Sequence, residues 1–142
     1  MPATNPTLRQ FMSTDLTTLP HHVTASDAAR RMRDEDVGNV LVTHDDALYG
    51  IVTDRDLVVR CMADGNNPAE MSLDQLCSKE LVFLSPDSDA KEAVKLMRDK
   101  AIRRIPVVEN KKPIGIVSLG DLAVRLDRDS ALGAISDAPA TR

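Results

Sequence analysis

One eight-residue stretch constrains this chain more than any other, because it occurs twice. Gly50-Ile51-Val52-Thr53-Asp54-Arg55-Asp56-Leu57 returns 65 positions later as Gly115-Ile116-Val117-Ser118-Leu119-Gly120-Asp121-Leu122. In each copy a glycine opens a short apolar strand and a hydroxyl residue closes it. An aspartate follows three places on, and an apolar helix begins. The same offset pairs Leu8 with Leu73, Gln10 with Gln75, Leu19 with Leu84 and Ala28 with Ala93. It also pairs Met32-Arg33-Asp34 with Met97-Arg98-Asp99 and Val42 with Val107. The period is too long for the common solenoid repeats. It predicts a duplicated subdomain, with both copies sharing one compact body.

Each copy reads as helix, strand, helix, strand, strand, helix, a mixed α/β layer structure. Thr7 to Gln10 and Ser72 to Gln75 have the form of capping boxes before a short helix. Extended segments follow at Leu16–Leu19 and Leu81–Leu84. A longer amphipathic helix then starts at Thr24 or Ser26 in the first copy and at Asp87 or Ser88 in the second. Two hairpins follow. One turns through His44-Asp45-Asp46 and the other through Glu109 to Pro113. The linker Gly65-Asn66-Asn67-Pro68 divides the chain into subdomains 8–65 and 73–128. The ends, 1–6 and 130–142, are small and polar and are expected to be mobile.

Composition narrows the function. No apolar run approaches the roughly 18 residues that cross a bilayer, and the start lacks the pattern of a signal peptide. A cytoplasmic protein that contacts no membrane is expected. Aromatic residues make up 2% of the chain, and no basic stripe is present, so nucleic acid is not an expected partner. Residues 1–71 hold 6 Lys and Arg against 11 Asp and Glu, whereas residues 72–142 hold 12 against 11. Cys61 and Cys77 fall on apolar positions and are expected to be buried, reduced thiols. His21-His22 reads as a solvated loop pair and not as a metal site. No Ser–His–Asp or Cys–His arrangement supports an enzyme.

The layout resembles the cystathionine-β-synthase (CBS) domain, and two copies resemble a CBS pair, or Bateman module. The resemblance covers residues 8 to about 128. It rests on Gly50 to Asp56, on Gly115 to Asp121 and on the strand Ile105-Pro106-Val107. It implies tandem subdomains related by a pseudo-two-fold axis, with no catalysis. It also implies a regulatory adenosine-nucleotide ligand (AMP, ADP, ATP or an adenosyl relative), no required cofactor, and a homodimer. A stress or energy response is a common setting, and a protein partner is an open expectation. The alternative is a dimerising interaction module without a physiological nucleotide.

The residue chemistry suits such a ligand. One carboxylate can accept from both ribose hydroxyls, which nominates Asp56 and Asp121. The Thr53 and Ser118 hydroxyls, with the first-turn N–H groups, would meet ribose or phosphate. Val40, Leu41 and Ile51 would wall one adenine slot, and Ile105, Pro106 and Ile116 the other. Arg103, Arg104 and Arg55 would meet phosphate. Arg103-Arg104 stand where the first copy has Gly38-Asn39, so the second pocket is expected to grip phosphate more tightly. The competing reading is that Thr53 with Asp56, and Ser118 with Asp121, are helix caps. One residue can do both.

Overall fold

The computed structural model describes residues 6–77 and 80–128, with 124–128 described by their backbone alone. The expected tails fall mostly outside these residues. The first repeat opens with a 3-10 turn, Leu8–Gln10, and continues through β1 (Thr18–Pro20), α1 (Ala25–Glu35), β2 (Asn39–His44) and β3 (Ala47–Thr53). It ends in α2 (Asp54–Asp56), which continues without a break as a π-helix over Leu57–Met62. The second repeat runs through α3 (Leu73–Leu76), α4 (Ala90–Lys100), β4 (Arg104–Glu109), β5 (Lys112–Ser118) and α5 (Leu119–Arg128). The expected element order holds with one exception. The extended segment before α4 is reduced to a single parallel bridge from Leu84 to Val107.

The two hairpins turn alike. Asp45 and Asp46 have φ of 51° and 66°, and Asn110 and Lys111 have 53° and 70°. Two successive positive φ values are what a two-residue hairpin turn needs to match strand twist. Both long helices also stop alike, on left-handed Asp36 and Ala101. Thr24 caps α1 as expected, accepting from the Asp27 N–H at 3.2 Å, while Asp27 accepts from the Thr24 N–H at 3.0 Å. The cap of α4 is Asp89, which accepts from the Lys91 N–H at 2.8 Å. Asp87 and Ser88 are not the cap because both are held in the preceding turn, through the Ser85 hydroxyl and carbonyl.

The compact units of the chain are not simply the repeats. One unit holds Asp15–Val82 with Val108–Ile114, and the other holds, of the described residues, 6–14, Phe83–Val107 and 115–128. The opening segments are exchanged. In the first of these units α3 docks beside α1: Leu73 donates to the Val23 carbonyl at 2.9 Å, and Ala25 donates to Met71 at 2.8 Å. In the other, the Leu8 turn docks beside α4: Leu8 donates to Ser88 at 3.0 Å, and Ala90 donates to Pro6 at 2.9 Å. The short turns cannot persist alone, so burial holds them, and Leu8 and Leu73 are both fully buried.

In the unit of Asp15–Val82, β1 pairs parallel and β3 antiparallel with the central β2. Val40, Val42 and Val52 project to one face and pack with Ala25, Ala28, Met32, Leu73, Leu76 and both cysteines. In the other unit Leu8, Ala90, Ala93, Met97, Ile105, Val107, Val117 and Leu122 are buried. Both cysteines are free and buried. Burial, reinforced by the charges of Asp56 and Asp74, pushes the Cys77 thiol up to about 12.

Candidate functional site

Two corners, where β3 passes into α2 and β5 into α5, carry the expected polar residues. At the first, Thr53 is still extended and the next residue is helical. The Thr53 hydroxyl accepts from the Asp56 N–H at 3.1 Å, and the Asp56 carboxylate accepts from the Thr53 N–H at 2.8 Å. This is a complete capping box with an aspartate in the place of the usual Glu or Gln. Arg60 stands 3.8 Å from the other Asp56 oxygen and donates to the Leu76 carbonyl. At the second corner the Ser118 hydroxyl accepts from the Asp121 N–H at 3.2 Å, and Asp121 is exposed.

The first-turn N–H groups of the first corner are already engaged. Asp54 donates to the Gly38 carbonyl, Arg55 to the Asp54 carboxylate and Asp56 to Thr53. The expected contribution of these groups to an anion site is therefore absent there, because side chains and the hairpin supply their acceptors first. At the second corner Leu119 donates to the Arg103 carbonyl at 2.8 Å. The backbone of Arg103-Arg104 is thus fixed at the corner of Ser118 and Asp121. Arg103, Arg104 and Arg55 are all exposed.

The expected adenine walls divide into two kinds. Ile51 and Ile116 are half-buried and keep accessible surface. Val40, Leu41, Ile105 and Pro106 are buried, and Val40 is part of the core cluster. They lie in β2 and β4, where successive residues are buried.

The motif's opening glycines answer to space. A Cβ on Gly115 would lie 2.6 Å from Met12 Sδ and 3.0 Å from Met12 Cβ. One on Gly50 would lie 2.9 Å from Cys77 Sγ and 3.0 Å from Cys77 Cβ. Met12 and Cys77 are themselves equivalent by the repeat offset, so both strands meet the exchanged segment in the same way.

The sequence reading missed one cluster. His21 is no solvated loop residue. The parallel pairing of β1 with β2 sets it against His44, with ring centroids 4.4 Å apart, and it stacks on Tyr49 at 5.7 Å. His22 meets it edge-on, and Asp74 lies 3.6 Å from its Nδ1. The donation from the His21 N–H to the Thr43 carbonyl fixes this placement. No grouping of three or more His, Cys, Asp or Glu suited to a metal ion occurs among the described residues. Among the same residues no helix is long and apolar enough to cross a membrane.

Two segments, residues 8–62 and 73–128, match the family profile of the CBS domain. The chain belongs to the CBS domain family. The resemblance carried by the two Gly-to-Asp motifs is thereby established, and the mixed α/β architecture is that of tandem CBS proteins. The CBS domain-containing protein YhcV of Bacillus subtilis is 34% identical over 131 residues, covering 92% of this chain and 93% of its own. Hypoxic response protein 1 of Mycobacterium tuberculosis is 31% identical over 121 residues, covering 84% and 85%. The chain spans 52% of the length of its Methanopyrus kandleri relative MK0525, at 41% identity over 101 residues. Among solved structures, Hypoxic Response Protein I with two coordinated zinc ions superposes with a TM-score of 0.76 at 30% identity, covering 83% of this chain and 97% of that one.

The capping geometry has a direct test. Thr53→Ala removes the acceptor for the Asp56 N–H, and the unfolding free energy is expected to fall by about 1 kcal/mol. The expected signature in urea is a lower midpoint with an unchanged slope. No change in midpoint would remove Thr53 from the capping role.

Proposed function

We propose that this CBS pair is a cytoplasmic regulatory module, without catalysis of its own, that senses AMP, ADP, ATP or a related adenosyl ligand. The observation that carries the proposal is the repeated corner, where a hydroxyl and a carboxylate stand together at a strand-to-helix junction. Thr53 with Asp56, and Ser118 with Asp121, would hold ribose. At the first corner the Asp56 carboxylate retains lone pairs beyond its cap bond, so capping and binding are compatible there. Ile51 and Ile116 offer accessible apolar surface to adenine. The naming of a relative as a hypoxic response protein supports a stress setting.

The two corners are unequal in this proposal. Arg103 and Arg104 flank the second, where a guanidinium grips phosphate with two parallel bonds. The first has Gly38-Asn39 and occupied N–H groups. An adenosine nucleotide at 100 times its dissociation constant is expected to stabilise the fold by about 2.7 kcal/mol, read as a rise in melting temperature. In calorimetry Asp121→Ala is expected to remove the tighter, more salt-sensitive event. Loss of that event in Asp56→Ala instead would overturn the assignment, and no response to any adenosine ligand at millimolar concentration would overturn the sensing role.

The module is also proposed to be a homodimer. Val58, Val59 and Met62 on the π-helix are 55%, 43% and 64% exposed, an apolar face unusual for a charged chain. Light scattering is expected to give about twice 15.5 kDa, and a clean monomer at micromolar concentration would contradict it. A second reading, an interaction module without nucleotide, is favoured by one observation: the Asp56 carboxylate already serves the Thr53 cap.

A further inference from the structure

The unit of Asp15–Val82 contains a cavity of about 420 Å³ between the start of α1 and the π-helix, with neither Thr53 nor Asp56 in its lining. Ala25, Ser26 and Ala29 line one side, and Leu57, Cys61 and Met62 the other. The turn through Gly65 and Asn66 closes one end. The volume lies within the range of small-molecule sites, about 300–1,000 Å³. We propose that this cavity is a second binding site, for a neutral apolar small molecule carrying a single hydrogen-bond donor.

The chemistry of the walls selects that class. No Asp, Glu, Lys, Arg or His lines the cavity, so a charged ligand would be desolvated without a partner. The start of α1 offers no N–H to an anion. Ala25 and Ser26 donate to the Met71 and Pro68 carbonyls, and Asp27 donates to Thr24. The Asn66 amide nitrogen donates to the Arg60 carbonyl at 3.4 Å, leaving its amide oxygen as an acceptor for one ligand donor.

The repeat supplies an independent observation. At the equivalent positions the second copy has Lys91 for Ser26, Val94 for Ala29, Leu126 for Cys61 and Asp127 for Met62. The first three are bulkier, and the fourth brings a charge. The helix differs as well: Leu57–Met62 is a π-helix, with Ala63 donating to Val58 and Asn66 to Cys61, whereas Leu119–Arg128 is α-helical. Widened helical turns of this kind recur at functional sites. Small side chains and a widened helix thus coincide in one copy of a duplicated fold.

The test uses N-phenyl-1-naphthylamine, a neutral apolar fluorophore with one N–H. The full chain is expected to bind it with enhanced emission and to show amide shifts at Ala25, Ala29 and Gly65. The variant Ala29→Val with Cys61→Leu installs the second repeat's own residues. It is expected to weaken binding by at least about tenfold, equivalent to about 1.4 kcal/mol. Ala29→Val alone, at an exposed position, preserves the fold and is expected to weaken binding to a smaller degree. No binding to the full chain would overturn the proposal. So would unchanged affinity in both variants, or amide shifts confined to Thr53, Ser118 and their neighbours.

Discussion

Leu73→Ala is expected to lower the unfolding free energy by about 2–5 kcal/mol. Leu73 is fully buried and packs in the cluster of Ala28, Met32, Val40 and Val52. It sits on a helix of four residues, Leu73–Leu76, far shorter than a helix that persists by itself. The segment is therefore held by what Leu73 and Leu76 bury and by a few main-chain bonds. Those bonds, from Leu73 to Val23 and from Asp74 to His21, also keep the surroundings from collapsing into the vacated space. The loss is expected in the upper part of the range for that reason. Equilibrium urea unfolding measures it, and Leu73→Met, which keeps the volume, is expected to lose under about 1.5 kcal/mol. A loss below about 1 kcal/mol for Leu73→Ala would mean that the segment is not seated as described, since filled core sites do not yield so little.

Gly115→Ala is expected to destabilise by about 1–3 kcal/mol. The sign is the informative part. In an open strand, replacing glycine by alanine gains about 0.4–1 kcal/mol through the unfolded state. Here the added Cβ meets Met12 Sδ at 2.6 Å, Cγ at 2.9 Å and Cβ at 3.0 Å. The sulfur can swing away, but the Met12 Cβ cannot. Its backbone is tied down by Ser13 and Ile116, which exchange hydrogen bonds of 2.8 and 3.0 Å. Met12→Ala relieves the Sδ and Cγ contacts and leaves the Cβ in place. A double-mutant cycle is therefore expected to return only part of the loss. Stabilisation by Gly115→Ala would show that the crossing segment lies farther from β5.

Much of this architecture was legible because local chemistry repeats. The turn residues Asp45-Asp46 and Asn110-Lys111, the Thr24 cap and the Thr53 and Ser118 corners all follow from side chains acting within a few residues of themselves. Where a local competitor intervened, the reading slipped. Ser85 holds Asp87 and Ser88 in a turn, so the α4 cap passes to Asp89. Partners distant in sequence leave no such mark. The contact of His21 with His44 depends on which strands pair in parallel. The glycines of the motif suggested a strand start, but the atoms that forbid a Cβ belong to Met12 and Cys77, far along the chain. The exchange of the opening segments was invisible for the same reason. Leu8 and Leu73 look like the first apolar residues of their own repeats, and only the long-range bonds assign them elsewhere.

That exchange gives a duplicated fold an asymmetric history during synthesis. Leu73 leaves the ribosome after Val23 and Ala25, so its berth already exists when it emerges. Leu8 leaves first, and the residues that receive it, Pro86, Ser88 and Ala90, follow about 80 residues later. At about 5–20 residues per second this is roughly 4–16 s during which the N-terminal turn has no place to dock. The unit of Asp15–Val82 can collect most of its parts in that interval. The other must wait for Ile116 and the helix beyond it, so the Leu8 turn, made well before its berth, is among the last segments to be fastened.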